Sequence, residues 1–276
     1  LTQTRQYNTR LQLTRITTPG VMDIEYLYSG TQNNGQITGM KQWNGGSLVQ
    51  HVAYTYDSLA RLSNAQTQAG SSINWNLTFG MDGFGNLNSQ TGAGPNWNQP
   101  ANPANNRIAT FGYDANGNTT STAAPAPTTY EYDIENRLKK TTLPNGGGVE
   151  EYGYGVGNQR VWRKKAGATY HEIYFYKVNG ERFGKYEVRS IGLTQGEIGF
   201  FQLEQESAVP KGLQSNRDRL GNVMYSPGTV YYPYGEEYSV TGNDKDKFGT
   251  YHRDSTTGLD YAVNRYYSTQ SARFLT

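Results

Sequence analysis

The chain has 276 residues and a formal net charge of +2, from 25 basic and 23 acidic side chains mixed without a long run of either sign. That layout builds no nucleic-acid stripe. The absence of cysteine removes disulfide frameworks and thiolate metal sites, and no apolar run approaches the ~20 residues that span a bilayer. With 13% aromatics, 23 Tyr and 33 Gly, the composition is that of many short strands and turns, not of a disordered chain.

The opening stretch, LTQTRQYNTRLQL, lacks the basic-then-apolar layout of a signal peptide and starts in the middle of a pattern, which reads as a fragment of something longer. One unit then recurs along the chain. Its clear copies are YTYDSLARL (54–62), FGMDGFGNL (79–87), FGYDANGNT (111–119), YEYDIENRL (130–138) and YGYGVGNQRV (152–161). YLYSGTQNNGQI (26–37) and YFYKVNGERF (174–183) are degraded copies, so first aromatics recur every 19 to 32 residues.

Each copy predicts a β-hairpin. In a strand, residues i and i+2 share a face, so the pairs Tyr54 and Tyr56, Tyr130 and Tyr132, and Tyr152 and Tyr154 place their rings on one core side. The Asp that follows (Asp57, Asp82, Asp114, Asp133) can accept backbone hydrogen bonds two residues on and start a turn. Three residues later Gly85, Gly117 or Asn136 tolerates left-handed geometry, with Ala60 the exception. An Asn, Gln or Arg then leads into Leu62, Leu87, Leu138 or Val161 on a returning strand. A lone hairpin cannot cover its aromatic face, so the copies are expected to stack edge to edge in a continuous sheet. Two Pro/Gly/Asn-rich stretches, 88–106 and 121–129, read as loop insertions at repeat boundaries rather than as domain linkers.

Four ordered motifs close the chain: RDRLGNV (217–223), YYPYGEE (231–237), FGTYHRDSTTGLDYAVNRYY (248–267) and ARFLT (272–276). With the Tyr-Asp copies, they resemble the Rhs/YD-repeat family, which includes bacterial polymorphic toxin shells, the C subunit of Tc toxins and the teneurin YD shell. The resemblance implies an all-β fold in which repeated hairpins form a spiralling sheet or shell. It divides the chain into a YD-repeat region, 1–216, and an Rhs repeat-associated core, 217–276, tucked inside as a plug. Gly258, Leu259, Tyr261, Arg265, Tyr266, Tyr267, Arg273 and Phe274 carry the plug motif, with Arg265 and Arg273 expected to anchor it by hydrogen bonds.

In the bacterial relatives the shell encloses a C-terminal toxin domain, released by aspartate-dependent self-cleavage at an Asp-Pro motif just past RFL[ST]. This chain stops at Thr276, before that pair. It also has Ser268-Thr269 where the family has Asp-Pro, and Ala272 where it has Gly. The expected function is therefore a non-enzymatic encapsulating portion of a secreted or cell-surface bacterial protein, partnered by its own C-terminal toxin or effector in a longer parent, with no nucleic acid and no membrane span. An adhesin that binds glycans or protein partners is a second reading. The core of an autoprotease lacking its catalytic Asp is a third. Seven or so copies are expected to be too few to close a shell alone.

HRDS (252–255) matches a kinase fragment, but the companion kinase motifs are missing. Arg253 and Asp254 are expected to pair or to cap the turn into TTGL, with support of a cleavage site as the sharper role. His51, His171 and His252 lack metal-ligand spacing, and one Asp per turn is a turn signature rather than a calcium loop; no cofactor is expected. Trp43, Trp75 and Trp162 are expected to pack on the sheet and Trp97 to sit in an insertion, against a sugar-stacking role. NLT (76–78) and NTT (118–120) fit the glycosylation sequon.

Overall fold

The structure is a computed structural model that describes residues 2–180, 182–191, 200–205, 216–226 and 228–276. It is all-β, and every strand pair in it is antiparallel. The first sheet is a nine-stranded meander in chain order: β1 (Thr4–Tyr7), β2 (Leu13–Thr18), β3 (Met22–Tyr28), β4 (Ile37–Asn44), β5 (Ser47–Tyr56), β6 (Leu62–Thr67), β7 (Asn76–Met81), β8 (Leu87–Ala93) and β9 (Trp97–Asn98). The second repeats the plan with β10 (Gly112–Tyr113), β11 (Thr119–Ser121), β12 (Thr129–Tyr132), β13 (Leu138–Thr142), β14 (Val149–Tyr154), β15 (Arg160–Lys164), β16 (Tyr170–Tyr176), β17 (Arg182–Ile191) and β18 (Phe200–Gln205). A five-stranded sheet of short strands ends the chain: β19 (Lys245–Asp246), β20 (His252–Arg253), β21 (Asp260–Tyr261), β22 (Tyr266–Ser268) and β23 (Arg273–Phe274).

The expected hairpins form. In each, the third residue of the copy, aromatic except for Met81, pairs with the first residue of the returning strand: Tyr56 with Leu62, Met81 with Leu87, Tyr113 with Thr119, Tyr132 with Leu138 and Tyr154 with Arg160. A β-bulge falls immediately before that residue every time, leaving one unpaired residue, such as Ser63 or Lys139, on the returning strand. A bulge shifts side-chain parity by one. Residues three apart therefore share the buried face: Leu62 with Ala65, Leu87 with Gln90, Leu138 with Thr141, and Arg160 with Arg163.

The turns are built as the Asp predicts. Asp57 Oδ1 accepts the N–H groups of Leu59 and Arg61, while Oδ2 takes Arg61 Nε at 2.6 Å. Asp82, Asp114 and Asp133 repeat this, with Asn86, Asn118 and Arg137 closing the turn. The third turn position is left-handed in every case, including Ala60 at φ 63°. A feature the sequence did not announce ties successive copies together. The second Tyr of one copy donates its phenol to the carbonyl that begins the previous copy's returning strand: Tyr56 to Ile37, Tyr132 to Thr119, Tyr154 to Leu138 and Tyr176 to Arg160, all at 2.6–2.7 Å.

The single ribbon expected from the repeats is interrupted. Between β9 and β10 the chain makes one isolated bridge, Ala101 to Ile108, and the two meanders are separate sheets. Pro100 and Pro103 in this stretch supply no N–H to a ladder. The stretch 88–106 is not all loop, because β8 runs on to Ala93 and β9 pairs with it. Among the described residues no helix is long and apolar enough to cross a membrane.

Candidate functional site

Residues 216–226 and 228–276 lie along the ring-bearing faces of both meanders, and their contacts follow a consistent path. On the first sheet the order runs forward: Arg219 N–H donates to Tyr26 Oη, Gln42 Nε2 to the Thr229 carbonyl, and Gln90 Nε2 to Glu236 Oε1. Between these, Tyr232 meets Trp75 and Tyr234 meets Phe79, both edge-to-face at 5.2 Å. The segment then crosses to the second sheet and runs backward over it. Asp244 meets Arg163 and Lys165, Tyr261 Oη accepts the Arg160 N–H, and the Leu275 carbonyl accepts the Thr119 N–H.

On the first sheet the seam is apolar. Trp75, Leu77, Phe79, Val52 and Ala65 form one core cluster with Tyr232, and Ile16, Ile24, Tyr26 and Ile37 another with Met224. The segment is itself built from repeat parts here. Asp218 makes the same Asp turn, accepting the N–H groups of Leu220 and Asn222 and the Asn222 amide. Gly235, at φ 102°, closes the YYPYGEE turn where a Cβ would lie 2.6 Å from the Phe248 ring.

On the second sheet an apolar cluster, in which Tyr130, Leu138 and Tyr152 meet Leu259, Tyr261, Tyr266 and Leu275, is joined by an ionic seam. Arg160, Arg163 and Asp254 are each 0% exposed. Arg160 holds Asp254 through two bonds of 2.5 and 2.9 Å, and its guanidinium lies over the rings of Tyr261 and Tyr174 at 4.5 and 4.9 Å. Arg163 reaches Glu150 at 2.6 Å, Asp244 at 2.7 Å and Asp254 at 3.2 Å. Lys165 binds Asp244 and Lys185 binds Glu172. Among the described residues this face presents the cations Arg160, Arg163, Lys165, Arg182 and Lys185 against the carboxylates Glu150 and Glu172; the closing segment supplies Asp244, Asp246 and Asp254. A buried charge without a partner is costly, so the sheet face is complete only when the segment is docked.

Burial alone would raise Asp254, Asp244 and Glu172, but the adjacent Arg and Lys charges outweigh it and hold all three below the usual carboxylate range. Burial prevails at Glu150, which is raised, and its Oε2 has no hydrogen-bond partner. His252 is pushed down to about 4 by burial and by Arg182, against the pull of Asp246. Asp244, His252 and Asp254 bring donor atoms within 4.8 Å of one another, the grouping most like a metal site. Arg160, Arg163 and Lys165 already occupy both carboxylates, so a cation there would have to displace them.

The sequence-predicted residues divide clearly. Tyr130 and Tyr152 are buried, while Tyr54, Tyr56, Tyr132 and Tyr154 are half-buried, and of these Tyr54, Tyr132 and Tyr154 pack at the cluster margins. Leu259, Tyr261, Tyr266 and Tyr267 of the closing motif are buried, and Gly258 is left-handed at φ 69°. Arg273 donates to the Asn106 carbonyl, as an anchor should; Arg265 is exposed and instead stacks 3.8 Å over Phe274. Arg253 and Asp254 do not pair with each other. Arg253 takes Asp260 in a two-bond ion pair and also donates to the Gly235 carbonyl, and the turn into TTGL is closed by the Gly258 N–H on the Asp254 carbonyl. Trp75 is 2% exposed, Trp43 carries Arg15 over its ring, Trp162 stacks on His171, and Trp97 is part of β9.

Sequence reading missed Arg160, Arg163, Glu150 and Glu172. The signal was present: Glu150 and Glu172 each stand two residues before a first Tyr, where Val52 and Leu77 stand in earlier copies.

Fold and site together define a Tyr-Asp hairpin ribbon that holds its own C-terminal segment on its ring-bearing face. Residues 113–147 match the family model described as RHS Repeat. The chain superposes over 99% of its length on the crystal structure of TcdB2-TccC3-Cdc42, with TM-score 0.66 and 18% identity. TcdB2-TccC3 without its hypervariable C-terminal region gives TM-score 0.65 at 18% identity over 99% of the chain, and the Photorhabdus luminescens Tc holotoxin pore gives 0.53 at 17% over 99%. The chain spans only 17% of the length of each of these structures. No curated protein matches it. The chain therefore contains an RHS repeat and has the fold of a stretch of these Tc toxin structures.

Proposed function

We propose that this chain is the C-terminal portion of the shell of a secreted or cell-surface bacterial Rhs/YD-repeat protein, and that the shell encloses or presents a toxin or effector domain of a longer parent. The observation that carries this reading is that the ring-bearing face binds the protein's own chain: residues 219–275 are laid across both meanders and complete the charge of the second. Its mechanism is confinement, with the docked segment as the inner lining, and needs no catalysis. In this reading residues 1–216 are the repeat ribbon and 217–276 the plug, the boundary falling beside residues outside the described set.

The test is protease protection of the natural gene product. Polypeptide C-terminal to Thr276 should survive digestion in the native protein and be cut after unfolding; its ready digestion in the native state overturns the proposal. Support of self-cleavage in the parent is a second reading, favoured by Asp254, a fully buried carboxylate held ionised beside His252. An Asp254→Asn parent that is processed as completely as the native one removes it.

A further inference from the structure

Where the closing segment crosses β3, β4 and β5 it does not fill the space beneath it. A cavity of about 190 Å³ remains, walled by Tyr26, Tyr54, Tyr56, Met40, Met224 and Tyr231, with Arg219 and Leu220 at its exposed end. An engineered apolar cavity of about 150 Å³ stays dry and takes up benzene, so this one has room for a single or fused aromatic ring.

Its polar groups are mostly spoken for. Tyr26 Oη accepts the Arg219 N–H, Tyr56 donates to Ile37 and Tyr231 to Val223. Gln50 bridges the Gln42 amide and Trp75 Nε1. Asp218 is spent on its own turn. Tyr54 differs: its ring lines the cavity, burial raises its pKa, and its hydroxyl has no hydrogen-bond partner among the described residues. That hydroxyl is not sealed off from the cavity, so it can hydrogen-bond an incoming polar group. A space walled in large part by aromatic rings and methionines, with one unspent hydroxyl, is a recognition element for an aromatic ring bearing one hydrogen-bonding group.

We propose that this cavity binds a phenol- or indole-sized aromatic ring, with the Tyr54 hydroxyl hydrogen-bonding its polar group. The ring can come as a free small molecule or as a Tyr or Trp side chain of a peptide. This site does not depend on the shell reading, since it needs only the first meander and the segment on it.

Isothermal titration of the whole chain with phenol, indole and toluene tests it. Saturable one-to-one binding is expected for all three. Tyr54→Phe keeps the ring and should weaken phenol and indole about fivefold, the loss of one hydrogen bond, while leaving toluene unchanged. Met224→Phe, which narrows the space from the segment side, should weaken all three. N-acetyl-tyrosinamide and N-acetyl-tryptophanamide separate the sources: binding as tight as the free rings identifies a peptide side chain, and exclusion identifies a free ligand. Absence of saturable binding by any ring, or binding indifferent to both substitutions, overturns the proposal.

Discussion

The two meanders share one lattice and fill it with opposite chemistry. Two residues before the first aromatic of a copy, the first sheet carries Ile24, Val52 and Leu77, all buried. The second carries Glu150 and Glu172 at the same place. On the returning strands, Ile16 and Ala65 occupy the position taken by Arg163 and Lys185. The closing segment accordingly meets the first sheet with Met224, Tyr231, Tyr232 and Tyr234, and the second with Asp244 and Asp254 beside the apolar Leu259, Tyr261, Tyr266 and Leu275. Apolar packing tolerates sliding; a two-bond Arg160–Asp254 pair does not. The ionic seam fixes where the segment sits, and the apolar seam supplies much of the burial that holds it.

Deleting one side of the ionic seam gives the largest expected effect. Asp254→Ala leaves Arg160 buried without its carboxylate and removes one of several from Arg163, which should destabilise by about 3–5 kcal/mol. Replacing Arg160 and Asp254 together by Met and Leu should recover most of that loss, because it is the orphaned charge that is costly. A urea titration of single and double variants reads both. If the double variant is no better than Asp254→Ala, the seam contributes more than charge compensation. Leu77→Ala is the matching change on the first sheet, about 2–5 kcal/mol from lost burial and cavity formation, with nothing to be gained from a second substitution.

Acid separates the seams next. His252 titrates near 4 in the folded chain against about 6.5 in a model peptide. The unfolded state therefore binds the proton first, and stability should fall as pH drops from about 6.5 to 4, by about 3 kcal/mol from this residue. Asp244, Asp254 and Glu172, held low, lose their contributions only on further acidification. Glu150 and Asp260, raised by burial, act in the opposite direction. Substituting His252→Leu isolates its share: the fall between pH 6.5 and 4 should flatten, whereas Leu77→Ala should lower the whole curve without changing its slope. An unchanged slope in His252→Leu sinks the assignment.

The Tyr ladder, common to both sheets, should respond more mildly. Tyr132 is half-buried and spends its hydroxyl on the Thr119 carbonyl. Tyr132→Phe should cost about 1 kcal/mol, and Tyr132→Ala less than the 3–5 kcal/mol expected of a fully buried ring. Equal losses for Tyr132→Phe and Tyr56→Phe, measured by thermal unfolding, would show that the ladder works alike in the two sheets.

Much of the lattice was legible because its signals are local. The i, i+2 rings, the Asp that caps the turn and the left-handed third position each act within a few residues, and the closing motif's Tyr261, Tyr266 and Tyr267 are buried. The ionic seam was not read, for two physical reasons. The bulge lets residues three apart share a face, so Arg160 and Arg163 look like opposite faces of a regular strand. Their partner Asp254 is 94 residues from Arg160, and the energy of a buried pair is set by long-range placement that no local pattern carries. Aligning the copies column by column, rather than reading each alone, would have set Glu150 and Glu172 against Val52 and Leu77.

The smallest effect concerns a turn of the first sheet whose residue disagrees with its geometry. Ala60 stands at φ 63° where the neighbouring copies have Gly85, Gly117 and Asn136. For an alanine, left-handed geometry costs about 1–2 kcal/mol because Cβ crowds the backbone, whereas glycine gives up about 0.5–1 kcal/mol of that gain to its greater freedom when unfolded. Ala60→Gly should therefore raise stability by about 0.5–1 kcal/mol. The Asp57 bonds to Leu59 and Arg61 would stay as they are, since neither involves the side chain at position 60. A loss on making this change would mean that the methyl group has a packing role that outweighs the strain, and that the turn of the first sheet differs from its counterparts in more than sequence.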